Sequence, residues 1–388
     1  MRKKVCYTFP IFPIFLASVV LLTGCQKEEE DKELNAMDLT QREAIEISDS
    51  IFTEQNLELE VSEVSVEIDS RAGARSCFLY ENKIFYSLDY EAFFQDSTWN
   101  EGQTFDKTYN TQIRMYDINS GEDKLIYQYD EEYCVIVQSL QYNGKTLIWE
   151  ESSVQNDAWK VMACDVVGTD LEAKMPYVLF KYGDADGKLN SATPIITEDA
   201  VLWYDLIKGR DYESVIYKYD FKQNNITVLK SGIDTWTPYD RVICEGNLLI
   251  SYKYGADSSN IFIEEGTNTI TVDILGKVAG LRGNNKICAW KKSVDENREI
   301  QVYDIKNDDF YYVCTDYFFS FAVLDDTLII NQDNGVWAYD IENMTYMPIQ
   351  ECDGIYCGYI FDGYKCKYSF VRENEDSKFT VLIIKEGR

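Results

Sequence analysis

The chain has 388 residues and carries 37 Lys and Arg against 67 Asp and Glu, which gives a formal net charge of −30 at pH 7. A surface this acidic repels phosphate backbones, so nucleic-acid binding is excluded as a predicted function. The chain contains no His, which also excludes mechanisms that depend on a His general base or on a nucleophile activated by His.

The N-terminus has the pattern of a bacterial signal peptide over residues 1–24. A basic start is followed by an apolar run over residues 5–22 and by the letters LTGC, which end at Cys25. An uncleaved membrane helix is disfavoured, because Pro10 and Pro13 would break it early. The LTGC motif resembles the lipobox of bacterial lipoproteins. The resemblance implies cleavage before Cys25 and a lipid on its thiol, which would anchor the chain to the extracytoplasmic face of a membrane.

Residues 25–56 are predicted to form an acidic stalk. Up to about residue 37 the segment is charged and poor in apolar residues, a composition typical of flexible chain. Thr40 and Glu43 have the spacing of a capping box, and Ile45 and Ile47 follow it. This pattern favours a short helix before the main domain.

Residues 57–388 show no sustained helical periodicity. Short runs rich in Tyr, Phe, Ile, Val and Trp alternate with Asn, Asp and Gly, which predicts an all-β domain. A hairpin pattern recurs seven times, with an aromatic residue four to six positions after the turn in every unit but the one that has Asn331. The seven predicted turns lie at Asn82, Gly144, Asp199, Gly246, Asn285, Asp326 and Gly363.

A second pattern recurs later in the units, where a strand ends in Tyr and Asp. Four clear copies end at Asp117, Asp220, Asp304 and Asp340. A carboxylate at this place can accept hydrogen bonds from the backbone of the following turn, which explains its recurrence without a catalytic role.

Two hairpins in each unit predict a seven-bladed β-propeller of four-stranded antiparallel blades. The last unit offers only one strand after its hairpin, so its outermost strand has to come from elsewhere. Residues 57–68 have the alternation of a strand and are predicted to close the last blade from the N-terminal side, which removes two exposed edges. Long insertions are predicted at residues 89–110 and 165–190 of the first two units.

The units resemble bacterial surface propellers of the TolB-like and YWTD-like kind, in which a turn, an Ile, an aromatic residue and a later Tyr-rich strand mark each blade. The resemblance covers residues 57–388 and implies architecture rather than activity. No blade contains a literal YWTD sequence.

The cysteines of the folded part are interpreted as buried thiols rather than as a disulfide framework. Nine remain after Cys6 and Cys25 are set aside, and no CxxC pair occurs. Only Cys352 and Cys357 are close enough in sequence to suggest a local bridge. Five cysteines lie within apolar strand-like runs, where a thiol behaves as a small hydrophobe: Cys77, Cys134, Cys244, Cys288 and Cys366.

No catalytic residue, cofactor or metal site is predicted. The weak candidate for calcium comprises Asp184, Asp186 and Asn190, but the first acidic ligand of a calcium loop is missing and Thr193 stands where its Glu should be. A polar loop is the better interpretation.

The predicted binding residues are aromatic side chains in loops or at strand edges. They are Tyr90, Phe93, Phe94, Trp99, Trp159 and Trp236. Loops on a rigid scaffold favour a non-catalytic recognition or scaffold module for a protein or peptide partner. For Trp99, Trp159 and Trp236, the role favoured over binding is to cover neighbouring blades. The alternative function is a propeller that binds glycans, or hydrolyses them with two carboxylates in its channel.

Overall fold

The computed structural model describes most of the chain from residue 37 onward, and every described residue belongs to the unit that spans residues 35–388. The described residues are 37–38, 45–47, 52–69, 72–90, 111–129, 135–153, 156–167, 172–173, 175–182, 194–207, 213–232, 243–245, 248–254, 258–275, 278–291, 299–314, 318–332, 334–351, 360–373 and 378–387. Cys25 and the predicted signal peptide lie outside them. The described residues include no helix long and apolar enough to cross a membrane.

Seven antiparallel sheets, each a blade, follow one another along the chain. Blade 1 comprises β5 (Ala72–Tyr80), β6 (Lys83–Tyr90), β7 (Gln112–Asp117) and β8 (Asp123–Gln128). Blade 2 comprises β9 (Val135–Tyr142), β10 (Thr146–Ser153), β11 (Asn156–Val167) and β13 (Tyr177–Tyr182), with the short β12 (Glu172–Ala173) on β11. Blade 3 comprises β14 (Ile195–Ile196), β15 (Ala200–Ile207), β16 (Glu213–Asp220) and β17 (Asn225–Gly232).

The remaining blades repeat the same order of strands. Blade 4 comprises β18 (Ile243–Glu245), β19 (Leu248–Tyr254), β20 (Ser258–Glu265) and β21 (Asn268–Leu275). Blade 5 comprises β22 (Ala279–Gly283), β23 (Ile287–Lys291), β24 (Glu299–Asp304) and β25 (Asp309–Cys314). Blade 6 comprises β26 (Phe318–Leu324), β27 (Thr327–Gln332), β28 (Gly335–Asp340) and β29 (Thr345–Glu351). Blade 7 comprises β30 (Ile360–Gly363), β31 (Cys366–Glu373), β32 (Lys378–Glu386) and β4 (Leu59–Glu67).

The blades form a ring in which the first strand of a blade is innermost. First strands of neighbouring blades contact one another, as β5 does with β9 and β30 does with β5. The all-β, seven-bladed propeller predicted from the repeats is confirmed. The insertion predicted at residues 165–190 is wrong in part, because this stretch includes β12 and β13, and β13 is the outermost long strand of blade 2.

The ring is closed by the N-terminal strand that the sequence predicts. β4 pairs with β32 in antiparallel register from Glu67 opposite Lys378 to Leu59 opposite Glu386. Val66 of β4 is 1% exposed and packs in the cluster between blades 7 and 1. The last blade therefore combines strands from both ends of the propeller. The edges of β4 and β32 that face each other are paired, so neither is left open there.

The segment before β4 also takes part in the sheets. Its strands β1 (Met37–Asp38), β2 (Ile45–Ile47) and β3 (Thr53–Glu54) pair in parallel with β21, β25 and β29, the outermost strands of blades 4, 5 and 6. The prediction of a short helix after the capping box is wrong at Ile45–Ile47, which is a strand. The unpaired backbone N–H and C=O groups at the edge of β25 bind this segment as a strand. Here that pairing outweighs the local preference for a helix.

The recurring Tyr-Asp pattern has the turn role that the sequence predicts. Strands β7, β16, β24 and β28 end at its Asp. Asp117 Oδ1 accepts hydrogen bonds from the backbone N–H groups of Asn119 (2.9 Å) and Ser120 (3.1 Å). Asp220, Asp304 and Asp340 cap their turns in the same way. These carboxylates fix the turn between the third and fourth strands of blades 1, 3, 5 and 6.

The recurring aromatic residues build the core between blades. Tyr86, Trp149, Trp203, Trp290 and Tyr368 are all buried, with at most 4% of their surface exposed. Burial of one such ring stabilises the fold by several kcal/mol, on the order of 3–5 by truncation to Ala. Tyr252 is partly buried against the cluster between blades 4 and 5.

The described cysteines fit the interpretation of buried thiols. Cys77, Cys288 and Cys366 are free and buried, and Cys164 is buried as well. Burial raises the pKa of the Cys366 thiol to about 11, so the group stays protonated and unreactive near neutral pH. Cys244 lies in β18, and Cys134, Cys352 and Cys357 lie outside the described residues.

Candidate functional site: the loop face and its root between blades 1 and 2

The two faces of the propeller differ in how the strands are connected. Because neighbouring strands are antiparallel, the first and third connections of a blade lie on one face and the second lies on the other, together with the connection to the next blade. We call the first face the turn face, where blade 1 needs only Glu81 and Asn82 between β5 and β6. The other, the loop face, receives the long connections, including residues 91–111 between β6 and β7.

The turn face is held together by hydrogen bonds between neighbouring blades. The side-chain amide of Asn143 in blade 2 donates to the carbonyl oxygen of Thr197 in blade 3 (2.8 Å), and the Asn284 amide in blade 5 donates to that of Asp325 in blade 6 (2.8 Å). Lys286 adds salt bridges of 2.5 and 2.8 Å to the carboxylates of Asp325 and Asp326. These contacts join blade 2 to blade 3 and blade 5 to blade 6 at the turn face.

The sequence-predicted binding residues occupy different places. Tyr90 is the last residue of β6, at the loop face. Trp159 lies in β11 opposite Tyr182 and is partly buried against the cluster between blades 2 and 3. The buried part of Trp159 therefore covers the neighbouring blade, which is the role favoured for this ring. Phe93, Phe94, Trp99 and Trp236 lie outside the described residues, as do Asp184, Asp186 and Asn190.

The long connection of blade 1 is rooted in a group of polar residues, of which Ser76, Ser87, Asp89 and Thr111 are buried while Arg75 is partly exposed. The pairing of β5 with β6 shifts register at Arg75 and Ser76, a bulge opposite Ser87. Bulges redirect side chains next to functional loops. Here the guanidinium of Arg75 lies 3.3 Å from Oδ2 of Asp89, and Asp89 is 3% exposed although it stands only two residues before the connection.

Burial raises the pKa of Asp89 to about 6, although Arg75 and Thr111 act in the opposite direction. The Thr111 hydroxyl donates its proton to the carbonyl oxygen of Val135 (2.8 Å), so Oδ1 of Asp89 has no donor among the described residues. A buried carboxylate with one unsatisfied oxygen costs free energy in its charged form. Asp89 therefore takes up a proton near pH 6.

Two further contacts join this root to blade 2. The backbone N–H of Leu140 in β9 donates to Oγ of Ser76 (3.2 Å), and the Thr111 bond to Val135 spans the same boundary. Thr111 directly precedes β7, so this end of the long connection is fixed to the neighbouring blade as well as to its own.

Blade 2 carries a chain of hydrogen bonds next to this root. The indole N–H of Trp149 donates to the Tyr129 hydroxyl (2.8 Å), which donates to Oε2 of Glu151 (2.5 Å). The ammonium of Lys160 meets the other Glu151 oxygen at 3.1 Å. Burial raises the pKa of Tyr129 well above its usual range, so the phenol remains a donor to the carboxylate.

Glu150 is buried on the opposite side of the same strand, with 0% exposure. Its Oε2 accepts a bond from the Ser139 hydroxyl (2.5 Å), and Ser139 has a φ of 54° at a bulge of β9. Neighbouring residues of a strand point to opposite faces. Glu150 and Glu151 are therefore separated by the sheet and do not form a pair of facing carboxylates.

Sequence reasoning missed these buried carboxylates, although one signal could have found Asp89. It shares the side of β6 that carries Phe85 and Ser87, and alternation places that side in the core. No comparable signal exists for Glu150 and Glu151, since one of two adjacent positions normally faces outward. Within the described ranges, no group of three or more acidic or Cys side chains is placed to hold a metal ion.

No protein-family model matches the sequence, and no curated protein matches it either. Solved structures are similar in fold. The β-propeller domain of the trilobed protease from Pyrococcus furiosus has a TM-score of 0.56 at 10% identity, over 82% of this chain and 95% of that domain. An oligogalacturonate lyase in complex with manganese has a TM-score of 0.54 at 9% identity, over 86% of this chain and 98% of the lyase.

A peptidase gives a likeness of the same kind. The uncomplexed acylaminoacyl peptidase from Pyrococcus horikoshii has a TM-score of 0.54 at 10% identity, over 83% of this chain and 54% of the peptidase. The chain thus spans about half the length of that enzyme. At such identities the similarity shows a propeller fold of the peptidase and lyase kind, and no activity.

Proposed function

We propose that the chain is a lipid-anchored, extracytoplasmic and non-catalytic recognition or scaffold module, whose loop face docks a protein or peptide partner. One observation carries the proposal: the longest connection between strands, residues 91–111, emerges on the loop face, whereas turns of neighbouring blades on the opposite face are joined by hydrogen bonds. Binding residues are commonly placed on loops above a rigid scaffold. The root of Asp89, Arg75 and Thr111 holds the longest of these connections in place.

The alternative, hydrolysis of glycans by channel carboxylates, has less support. The buried carboxylates that the structure describes are engaged by neighbours: Asp89 by Arg75, Glu151 by Tyr129 and Lys160. A carboxylate held in this way stabilises the blades and is not presented to a substrate.

Replacing Phe93, Phe94 and Trp99 together by Ser is expected to abolish partner capture, because large apolar rings supply most of the energy of a typical interface. The measurement is pull-down from envelope extract of the source bacterium followed by mass spectrometry. The matched control is Tyr177→Ser, since Tyr177 is 42% exposed on the outer strand β13, away from the loops. The docking proposal is wrong if the triple variant retains the same partners as the control.

Replacing Cys25 by Ala is expected to abolish lipid incorporation, because the thiol is the proposed attachment atom. The measurement is labelling of growing cells with an alkyne-bearing palmitate, followed by a gel of the isolated protein. Cys6→Ala is the control, since Cys6 lies in the leader and should be removed with it. Label retained in Cys25→Ala, or lost in Cys6→Ala, would contradict the anchor.

A further inference from the structure

The turn face carries a groove at the boundary between blades 7 and 1, which we call the seam groove. The turns of blade 1 contribute Glu81, Asn82 and Asn119, the first turn of blade 7 contributes Tyr364 and Lys365, and the β4–β32 pair contributes Lys385. Its volume is about 480 Å³, within the range of roughly 300–1,000 Å³ that is typical of small-molecule sites. The groove is therefore large enough for a small ligand and lies opposite the loop face.

A fixed aromatic ring forms one wall of the seam groove. Tyr364 is 37% exposed and stacks on Tyr80, with ring centroids 4.4 Å apart and an angle of 28° between the rings. The backbone N–H of Tyr364 donates to the carbonyl oxygen of Leu79 (2.8 Å), and Tyr80 also meets Tyr142 edge-on at 5.0 Å. Because the ring is already held, a ligand that stacks on it pays little ordering entropy.

Two lysines beside this ring form no salt bridge within the part of the chain that the structure describes. The ammonium of Lys385 lies 3.4 Å from the carbonyl oxygen of Glu81, and that of Lys365 lies 5.3 Å from the centroid of the Tyr364 ring. Neither forms a salt bridge with a described carboxylate, whereas Lys286 on the same face contacts two. Glu81 also lines the groove, but its carboxylate forms no described salt bridge with either lysine. In a chain of net charge −30, two ammonium groups that are not neutralised by a salt bridge indicate a site for an anionic ligand.

We propose that the seam groove binds an acidic saccharide. The apolar face of a sugar ring fits against Tyr364, its carboxylate fits the ammonium groups of Lys365 and Lys385, and its hydroxyls can bond with Ser62 and Asn119 at the edge. An acidic peptide would pair with the two lysines. It would stack less well than a sugar on the flat, already positioned ring of Tyr364. The inference goes beyond the proposed function, since it concerns the opposite face and a different class of ligand.

The position of the groove couples ligand binding to closure of the ring. Ser62 belongs to β4 and Lys385 to β32, so a ligand in the groove touches both strands of the closing pair and blade 1 as well. A ligand that binds only the closed ring stabilises it by mass action. The midpoint of thermal unfolding should therefore rise with saccharide concentration.

The test is isothermal titration of the full chain in detergent with the trimer of galacturonic acid, the neutral trimer of galactose and the tripeptide triglutamate. We expect one-to-one binding of the acidic sugar that weakens with salt. Loss of a charged contact corresponds to about tenfold or more in affinity, so Lys365→Ala and Lys385→Ala should each weaken binding by at least about tenfold. Tyr364→Ala should abolish binding, and Tyr364→Phe should preserve it.

Lys222→Ala is the matched control, because Lys222 is an exposed lysine of a turn in blade 3 on the same face. Thermal unfolding of each variant without ligand shows whether the fold is intact. The inference is overturned if the acidic sugar gives no binding, if the control weakens it as much as the groove variants do, or if triglutamate binds as tightly as the sugar.

Discussion

Val66→Asp is expected to remove much of the stability of the propeller, while Val61→Asp leaves it nearly unchanged. Both residues lie in β4, but Val66 is 1% exposed in the cluster between blades 7 and 1, whereas Val61 is 40% exposed. A buried charge without a partner costs on the order of 3–5 kcal/mol. An Asp side chain at the exposed position of Val61 lowers the free energy of unfolding by less than about 1 kcal/mol.

Urea denaturation, followed by tryptophan fluorescence, measures the free energy of unfolding of both variants. Deleting residues 57–70 should have the stronger effect of abolishing the single cooperative transition, since blade 7 would lose its outermost strand. Closure by the N-terminal strand would be contradicted by equal losses in the two Asp variants or by an unchanged transition after the deletion.

Asp89→Asn is expected to stabilise the protein at pH 7.5 by about 2–3 kcal/mol and to have little effect at pH 4. The folded-state pKa of Asp89 is about 6, above the value of about 3.9 in an unfolded chain. Between these values the folded state binds more protons, so the free energy of unfolding falls as pH rises from about 4 to about 6. The neutral amide of Asn does not ionise, so the free energy of unfolding does not fall in this way. Arg75 loses its salt bridge in the variant, but it is exposed enough for water to solvate its guanidinium.

The control for this pH dependence is Asp220→Asn, which should show the opposite sign. Hydrogen bonds from the backbone N–H groups of Gln223 and Lys222 lower the pKa of Asp220. The stabilisation that the Asp220 carboxylate contributes is present above its pKa in the unfolded chain. This stabilisation is lost as pH falls through its pKa in the folded state. Urea titrations at several pH values measure both variants. A stability difference for Asp89→Asn that does not change with pH would rule out a raised pKa.

The sequence allows the blades and their closure to be predicted because their signals are local. Turn residues, alternation of apolar side chains and the Asp at the end of the third strand each act within a few residues. The missing outer strand of the last unit and the alternation in residues 57–68 complete the prediction, and the pairing of β4 with β32 confirms it.

The strands before β4 could not be predicted, because they have two or three residues and carry no periodicity. Their formation depends on edges such as β25, which lies more than 250 residues further along the chain than Ile45. The local capping pattern of Thr40 and Glu43 therefore gave a misleading preference for a helix. An edge with free pairing groups recruits a short segment whatever its own propensity.

The contacts of Asp89 and Thr111 at the root of the loop face were also beyond the reach of sequence patterns, although the alternation of β6 indicates that Asp89 is buried. Arg75 and Asp89 meet because of a bulge in β5, and Thr111 reaches Val135 because blades 1 and 2 are neighbours in the ring. Both conditions are properties of the assembled sheets. The aromatic residues after each turn show the reverse case, since their regular spacing reflects their common place in the core.

Hydrogen–deuterium exchange of the full chain, with and without its captured partner, tests the central claim of recognition through the loop face most directly. The partner is expected to slow exchange where strands meet the loop face, at residues 87–90, 111–113 and 135–137. Exchange at the turns of residues 221–224 and 305–308 should stay unchanged. Protection confined to those turns, with no change at the loop-face ends, would contradict the account.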